Sequence, residues 1–176
     1  MSIETRIKDA VRDVPDFPKP GIIFKDITPL FFNQQLCKNI VDSIVESLGN
    51  NLPDKVAAIE SRGFLFGIML ANRLNIPFVP IRKAGKLPFD TYSYSYELEY
   101  GQATVEIHVD AVMPGDKVLI HDDLLATGGT AGAAAHLVEF SGGVVSGFSF
   151  IINLSFLNGK EALNKYSSNF YTLATY

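Results

Sequence analysis

The sequence predicts a single α/β domain with a mainly parallel central sheet flanked by helices. Short apolar runs at Val56–Ile59, Phe78–Ile81 and Val118–Ile120 are of the kind used by parallel strands buried on both faces. Segments with helical apolar spacing stand between them, so strands and helices alternate. A chain of 176 residues suits one domain, 1–176, with a sizeable core.

Taken in order, Ile3, Ile7, Ala10 and Val11 recur at helical spacing and predict a first helix ending before Pro15. Pro15 to Gly21 holds three prolines and a glycine and reads as an extended or turning segment. Leu36, Ile40, Val41, Ile44, Val45 and Leu48 form an amphipathic helix stopped by Gly49 and Asn50. The Val56–Ile59 strand leads into a helix over Gly63–Leu74, and Phe78–Ile81 is the next strand. Residues 91–96 and Thr104–Val109 both alternate, which predicts an antiparallel pair. Pro114-Gly115 turns the chain into the Val118–Ile120 strand, followed by a helix over Ala131–Phe140. A long strand, Val144–Leu154, and a last one, Phe170–Thr175, complete the pattern.

Composition excludes several classes. No apolar run approaches the roughly 18–20 residues of a membrane span. A net charge of −4 and a pI near 5.3 argue against nucleic acid as the main partner. The single cysteine, Cys37, cannot form an internal disulfide, and its place in a helical pattern reads as a buried thiol rather than a nucleophile. The first residues enter a charged amphipathic segment without a signal-peptide pattern, so a cytoplasmic protein is expected.

Residues 117–132 carry the most chemistry. After the apolar strand come two carboxylates, Asp122 and Asp123, then Ala126-Thr127-Gly128-Gly129-Thr130, then a helix. A double-glycine turn lets backbone N–H groups converge, and the helix start adds its own N–H groups and the positive end of its dipole. With the Thr127 and Thr130 hydroxyls this suits a phosphate dianion. The two carboxylates can accept hydrogen bonds from a vicinal diol, so one strand end can hold both ends of a ribose 5-phosphate. Neither Gly-Lys pair is followed by Ser or Thr, which excludes a Walker loop, and Gly128, Gly129 and Gly132 lack dinucleotide spacing.

Two other strand ends carry cations. Glu60-Ser61-Arg62-Gly63 follows the Val56–Ile59 strand, and Arg82, Lys83 and Lys86 follow Phe78–Ile81. Taken singly, an Arg62 paired with Glu60 is the ordinary reading, and charge runs are usually solvated faces. Together they suit a pyrophosphate on carbon 1 of the sugar. Such a group needs Mg²⁺ to bridge its oxygens. No compact set of His, Asp and Glu stands out, so the ion is expected to arrive with the substrate rather than on protein ligands. The polar stretch from Lys83 to Gln102, with Tyr92, Tyr94, Tyr96 and Tyr100, reads as a flexible hairpin. It suits a lid over a water-sensitive reaction or, taken alone, an exposed edge hairpin with a tyrosine ladder. Of the histidines, His108 is expected on the surface, His136 in a structural role, and His121 pointing away from the acidic pair.

The 117–132 segment resembles the 5-phosphoribosyl-1-pyrophosphate (PRPP) motif of type I phosphoribosyltransferases, with His121 as a departure from the usual apolar residue. Phe17-Pro18-Lys19-Pro20-Gly21-Ile22-Ile23-Phe24-Lys25-Asp26-Ile27 resembles the base-binding hood of the adenine-specific members. Arg82-Lys83, Gly85-Lys86-Leu87-Pro88 and Leu98-Glu99-Tyr100-Gly101 are similar to their lid. Lys25 stands where Arg is common, and Ala84 interrupts a usually basic stretch. The resemblance covers about residues 14 to 138. It implies the type I phosphoribosyltransferase-like fold, with a hood and N-terminal arm at 1–33 and a lid at 83–103.

The same resemblance implies transfer of the phosphoribosyl group of PRPP to adenine, giving AMP and pyrophosphate with Mg²⁺. It places Asp122, Asp123, Ala126, Thr127, Gly128, Gly129 and Thr130 on the ribose phosphate, and Ser61, Arg62, Arg82, Lys83 and Lys86 on pyrophosphate. Ile23, Lys25 (through its backbone) and Leu125 fall at adenine, and Glu99 handles the base proton. A homodimer is implied too, with Arg82 able to reach the neighbouring site. Two alternatives remain at this level: a 6-oxopurine phosphoribosyltransferase with a different hood, or a regulator that senses PRPP without catalysis.

Overall fold

Seven strands join in one sheet in the computed structural model of the chain, which describes residues 1–97 and 101–176. The helices are α1 (Ile3–Ala10), α2 (Gln34–Leu48), α3 (Arg62–Leu74), α4 (Gly129–Phe140) and α5 (Gly159–Leu163). The strands are β1 (Arg12–Pro15), β2 (Ile23–Asp26), β3 (Lys55–Ile59), β4 (Phe78–Lys83) and β5 (Thr91–Glu97). They continue with β6 (Gln102–His108), β7 (Lys117–Leu125), β8 (Val144–Asn153) and β9 (Phe170–Thr175). The sheet order is β5-β6-β4-β3-β7-β8-β9, and β1 pairs with β2 in a separate ribbon. Strands β4, β3, β7, β8 and β9 are parallel, whereas β6 runs antiparallel to both β4 and β5.

The predicted hairpin forms with Thr91 opposite His108 and Glu97 opposite Gln102. Strand β4 outlasts its apolar run by two residues, because Arg82 and Lys83 still pair with Glu106 and Val105 of β6. The N-terminal region differs more. Helix α1 ends at Ala10, and Arg12–Pro15 turns outward to pair with Ile23–Asp26. Those four residues have no apolar alternation, and only their distant partner makes them a strand.

Local signals account for the helix ends. Asn33 caps α2 by accepting a 3.0 Å bond from the Leu36 N–H, and Gly49 closes it at φ 55°. Leu36, Cys37, Ile40, Val41, Ile44 and Leu48 face inward, as their spacing predicts. Two apolar layers result. One face of the sheet buries Ile120, Phe148 and Phe150 against α4 and Leu163 of α5. The other buries Val56, Ile151 and Ile152 against α1, α2 and α3. Each fully buried large apolar side chain is worth roughly 1.5–3 kcal/mol.

This connectivity places the site. From β3 the chain crosses by α3 to β4 over one face of the sheet, and from β7 it crosses by α4 to β8 over the other. Adjacent strands β3 and β7 therefore send their following loops to opposite sides, leaving a crevice at their carboxyl ends. Strand β4 ends beside β3, so three loop starts converge there.

Candidate active site

Two adjoining cavities occupy that crevice. One, of about 410 Å³, is lined by Glu60, Ser61 and Arg62 after β3, Lys83 of β4, Tyr96 of β5, and Asp122, Asp123 and Thr130. The other, of about 80 Å³, lies inside the loop from Ala126 to Thr130. Asp122 and Thr130 line both. The sequence-predicted diol and phosphate groups therefore line adjoining cavities, with Arg62 and Lys83 among the walls of the larger one.

The loop is shaped by two glycines. Gly128 sits at φ 85°, and a methyl there would lie 2.7 Å from the Gly159 carbonyl oxygen. A methyl on Gly159 would in turn collide with the Ala126 carbonyl. The start of α5 thus braces the back of the loop, a contact that the sequence around Gly159 does not advertise. Helix α4 begins at Gly129, two residues earlier than its apolar pattern indicates, so Thr130 lies in the first turn with the free N–H groups.

The carboxylates hold unequal positions. Asp123 is 3 % exposed, and its Oδ2 lies 2.9 Å from Arg62 Nε without the alignment of a hydrogen bond. Asp122 Oδ1 accepts a 2.9 Å bond from the Asp123 backbone N–H. Burial, and then the neighbouring Asp123 charge, push the Asp122 carboxyl well above the usual carboxylate range. Arg62 thus pairs with Asp123, where the local sequence suggested Glu60. Its guanidinium also lies 5.0 Å from the centre of the Phe24 ring, joining the hood ribbon to the acidic pair. Gly63 permits the approach, because a methyl there would fall 2.9 Å from Asp122 Oδ1 and 3.1 Å from the His121 carbonyl oxygen.

Glu60 gathers the second basic group. Its carboxylate accepts from Arg82 at 3.0 and 3.2 Å, from Lys86 Nζ at 2.6 Å and from the Lys83 N–H at 3.0 Å. The Arg82 hydrogen bonds, followed by those of Lys86 and Lys83 against the cost of burial, lower the Glu60 carboxyl to about 2. Arg82 is thus held by Glu60 of its own chain. Ser61 is exposed at the mouth of the cavity, next to Arg62.

At the hood, Ile23 is 58 % exposed and Phe24 half-buried. The Lys25 side chain points to Asp13 and the C-terminus, with Nζ 2.6 Å from Asp13 Oδ1 and 4.1 Å from the centre of the Tyr176 ring. Leu125 requires a correction. It is 1 % exposed and packs into the α4-side core with Ala131 and Leu163, whereas half-buried Leu124 packs into the cluster that holds Ile27 and Leu30, just after the hood strand. Strict alternation from Val118 and Ile120 would put Leu124 on the α4 side. The side-chain parity reverses across the acidic pair, and Leu124 is the leucine on the hood's side. Glu99 lies outside the described residues.

The histidines take structural places. His121 is fully buried, with Nδ1 3.1 Å from Ser149 Oγ and its Cδ2 toward Gly67 of α3; burial lowers its imidazole to about 3. His136 lies against Tyr94 with ring centres 4.0 Å apart. His108 is half-buried rather than fully on the surface, because Phe89 packs across it.

Comparison with known proteins agrees with this geometry. A family model described as "Phosphoribosyl transferase domain" matches residues 32–144. The adenine phosphoribosyltransferase of Cytophaga hutchinsonii is 52 % identical over 174 residues, covering 99 % of this chain and 96 % of that protein. A crystal structure of the adenine phosphoribosyltransferase of Thermoanaerobacter pseudethanolicus superposes with a TM-score of 0.94 at 48 % identity, covering 98 % of this chain and 99 % of that one. The chain belongs to the adenine phosphoribosyltransferases. It transfers the phosphoribosyl group from PRPP to adenine, giving AMP. The 6-oxopurine and non-catalytic readings are set aside by this membership. The Saccharomyces cerevisiae adenine phosphoribosyltransferase, solved with an imino-altritol bisphosphate and adenine, superposes at a TM-score of 0.89 with 39 % identity, covering 97 % of this chain and 98 % of that one.

Proposed function

We propose that the crevice between β3 and β7 divides PRPP among three grips. The Ala126–Thr130 loop takes the 5-phosphate, Asp122 and Asp123 take the ribose hydroxyls, and Arg62, Ser61, Lys83, Arg82 and Lys86 take the pyrophosphate. What supports this above all is that Asp122 and Thr130 line both cavities, so sugar and phosphate ends are reached from one strand end. Adenine lies between the hood at Ile23 and Phe24 and Leu124, with backbone groups near Lys25 reading its amino and ring-nitrogen edge. A 6-oxopurine presents the reversed pattern and would leave a buried polar group unpaired.

The bond from carbon 1 to the pyrophosphate oxygen breaks as adenine N9 bonds to carbon 1, and pyrophosphate leaves with the electron pair. Glu99 accepts the N7 proton, which makes N9 the better nucleophile. Arg62 releases Asp123 to the ribose and turns its charge to the leaving group. Mg²⁺ would arrive on the oxygens of PRPP, and among the described residues no three His, Cys, Asp or Glu side chains converge to hold it by themselves. Bound with PRPP, Mg²⁺ supplies charge neutralisation on the pyrophosphate oxygens.

The working protein is a cytoplasmic homodimer in this reading. Leu65 and Ile68, 47 % and 49 % exposed and three residues apart on the outer side of α3, supply apolar surface for a second copy. No described helix is long and apolar enough to cross a membrane. Light scattering at micromolar concentration is expected to return twice the 19.3 kDa chain mass. The residue assignment is tested by soaking ribose 5-phosphate into crystals. Density in the Ala126–Thr130 loop with hydroxyls on the acidic pair is expected, and a ligand lodged elsewhere would refute it.

A further inference from the structure

Tyr96 holds none of the roles above, yet it touches two of the grips. It lies on β5 opposite Ala103 and lines the larger cavity with Asp122 and Asp123. Its ring lies beside Gly129, where an added methyl would be 3.6 Å from the ring edge. Its hydroxyl is 2.9 Å from Thr130 Oγ1, in the first turn of α4. The rest of the strand sets this reach. Tyr92 packs on Phe140 and Tyr94 on His136, with ring centres 5.0 and 4.0 Å apart, so β5 runs back along α4 and delivers its third tyrosine to the helix start.

We infer that Tyr96 is a positioning residue for the sugar phosphate: its phenol donates to Thr130 Oγ1 and so turns the one Thr130 hydroxyl proton toward the phosphate. A threonine hydroxyl has one proton and two lone pairs. If Thr130 donated to Tyr96, it would face a phosphate dianion with lone pairs alone and repel it. If Tyr96 donates, Thr130 accepts on one side and keeps its proton for the phosphate oxygen, where a charge-assisted bond is strong. The inference rests on the reading of the Ala126–Thr130 loop as the 5-phosphate site, and adds a residue 34 positions upstream to it.

Calorimetric titration of ribose 5-phosphate, AMP, adenine and pyrophosphate into wild type, Tyr96→Phe, Thr130→Val and the double variant tests both levels. Tyr96→Phe keeps the ring packing and removes one donor. It is expected to weaken ribose 5-phosphate and AMP by about 5- to 20-fold, the usual range for one bond in a charge-assisted pair. Adenine and pyrophosphate should stay within twofold, and the KM for PRPP should rise while kcat moves less than twofold. In the Thr130→Val background the same change should cost nothing further, since the relay is already broken. Additive losses, or equal weakening of all four ligands, would overturn the relay. So would a Tyr96→Phe enzyme that binds ribose 5-phosphate normally while Thr130→Val does not. A Thr130→Val enzyme with normal ribose 5-phosphate affinity would overturn the loop reading and the relay together.

Discussion

Replacing Gly63 with alanine should separate the packing that builds the site from the packing that merely holds the fold. The added methyl would lie 2.9 Å from Asp122 Oδ1, 3.1 Å from the His121 carbonyl oxygen and 3.2 Å from the Asp122 Cα. Two of those three atoms belong to the backbone of β7, so no side-chain rotation relieves the clash. The start of α3 must move off the strand by a few tenths of an ångström or more, carrying Arg62 away from Asp123. Overpacking of this kind costs roughly 1–3 kcal/mol, against at most about 1 kcal/mol gained from replacing glycine in a helix, and less in its first turn. At about 2–4 °C per kcal/mol for a domain of this size, the melting temperature should fall by several degrees. Activity should suffer more, because misplacing a binding group by up to an ångström can cost on the order of 100-fold. HPLC detection of AMP from adenine, PRPP and Mg²⁺ at 20 °C should show kcat/KM down about 10- to 100-fold, mostly through PRPP. Gly67→Ala is the control. Its methyl would meet Ala58 Cβ at 2.5 Å and Phe78 at 3.3 Å, one helical turn from the site, so it should lower stability while the folded enzyme keeps its kcat. If Gly63→Ala retains kcat/KM within twofold while melting lower, the close approach of α3 to the acidic pair has no part in catalysis.

Leu124→Ala and Leu125→Ala should diverge: the first raises the adenine KM with a modest loss of stability, and the second costs about 2–5 kcal/mol in urea unfolding with little change in KM. Glu60 gives an acid-stability signature. Its carboxyl is depressed to about 2 in the folded chain, so its stabilisation is complete above the ordinary 4.5 and disappears as pH falls through about 2. With Arg82 33 % and Lys86 47 % exposed, solvent screening reduces this to about 1 kcal/mol. Thermal melts of Glu60→Gln should lie below wild type at pH 7 and meet it near pH 2. His121 acts in the same direction by burial. Held neutral down to about 3 against an ordinary 6.5, it subtracts stability as pH falls from 6.5 to 3, and His121→Val should flatten the wild-type pH–stability curve in that window. Glu99→Gln should lower kcat more than it raises the adenine KM in steady-state assays, and an unchanged kcat would remove its proton-transfer role.

What the sequence disclosed and what it hid divide along a physical line. Elements with their own period were legible: the inward residues of α2, the β5–β6 pair, and the apolar start of the strand that runs on through Asp122 and Asp123. The donors and acceptors of the loop could also be enumerated, since two acids, two threonines and two glycines state them without any fold. Elements made by distant partners were not. Arg12–Pro15 is a strand only because Ile23–Asp26 lies beside it, and the brace under the Ala126–Thr130 loop comes from Gly159, some thirty residues on. Pairings among charges were hidden for the same reason: Arg62 sits two residues from Glu60, yet the chain brings Asp123 to it and sends Glu60 to Arg82 and Lys86.

Leu125 shows how such a gap arises at the most legible motif of all, since residue types alone do not say which of two adjacent leucines faces the hood. Alternation would not decide it either: Val118, Ile120 and Leu125 all face the same core, so β7 does not keep its pleat to the end. The reversal falls across Asp122 and Asp123. A regular strand would point these two carboxyls to opposite faces, where they could not share a diol. Here Asp122 Oδ1 is bonded to the Asp123 backbone N–H and both carboxyls line one cavity. This irregularity is therefore what brings the acidic pair onto one side. It also carries Leu124 to the hood's side, so the shared face of the acidic pair and the place of Leu124 arise from a single departure from alternation, which no residue type in the motif would signal.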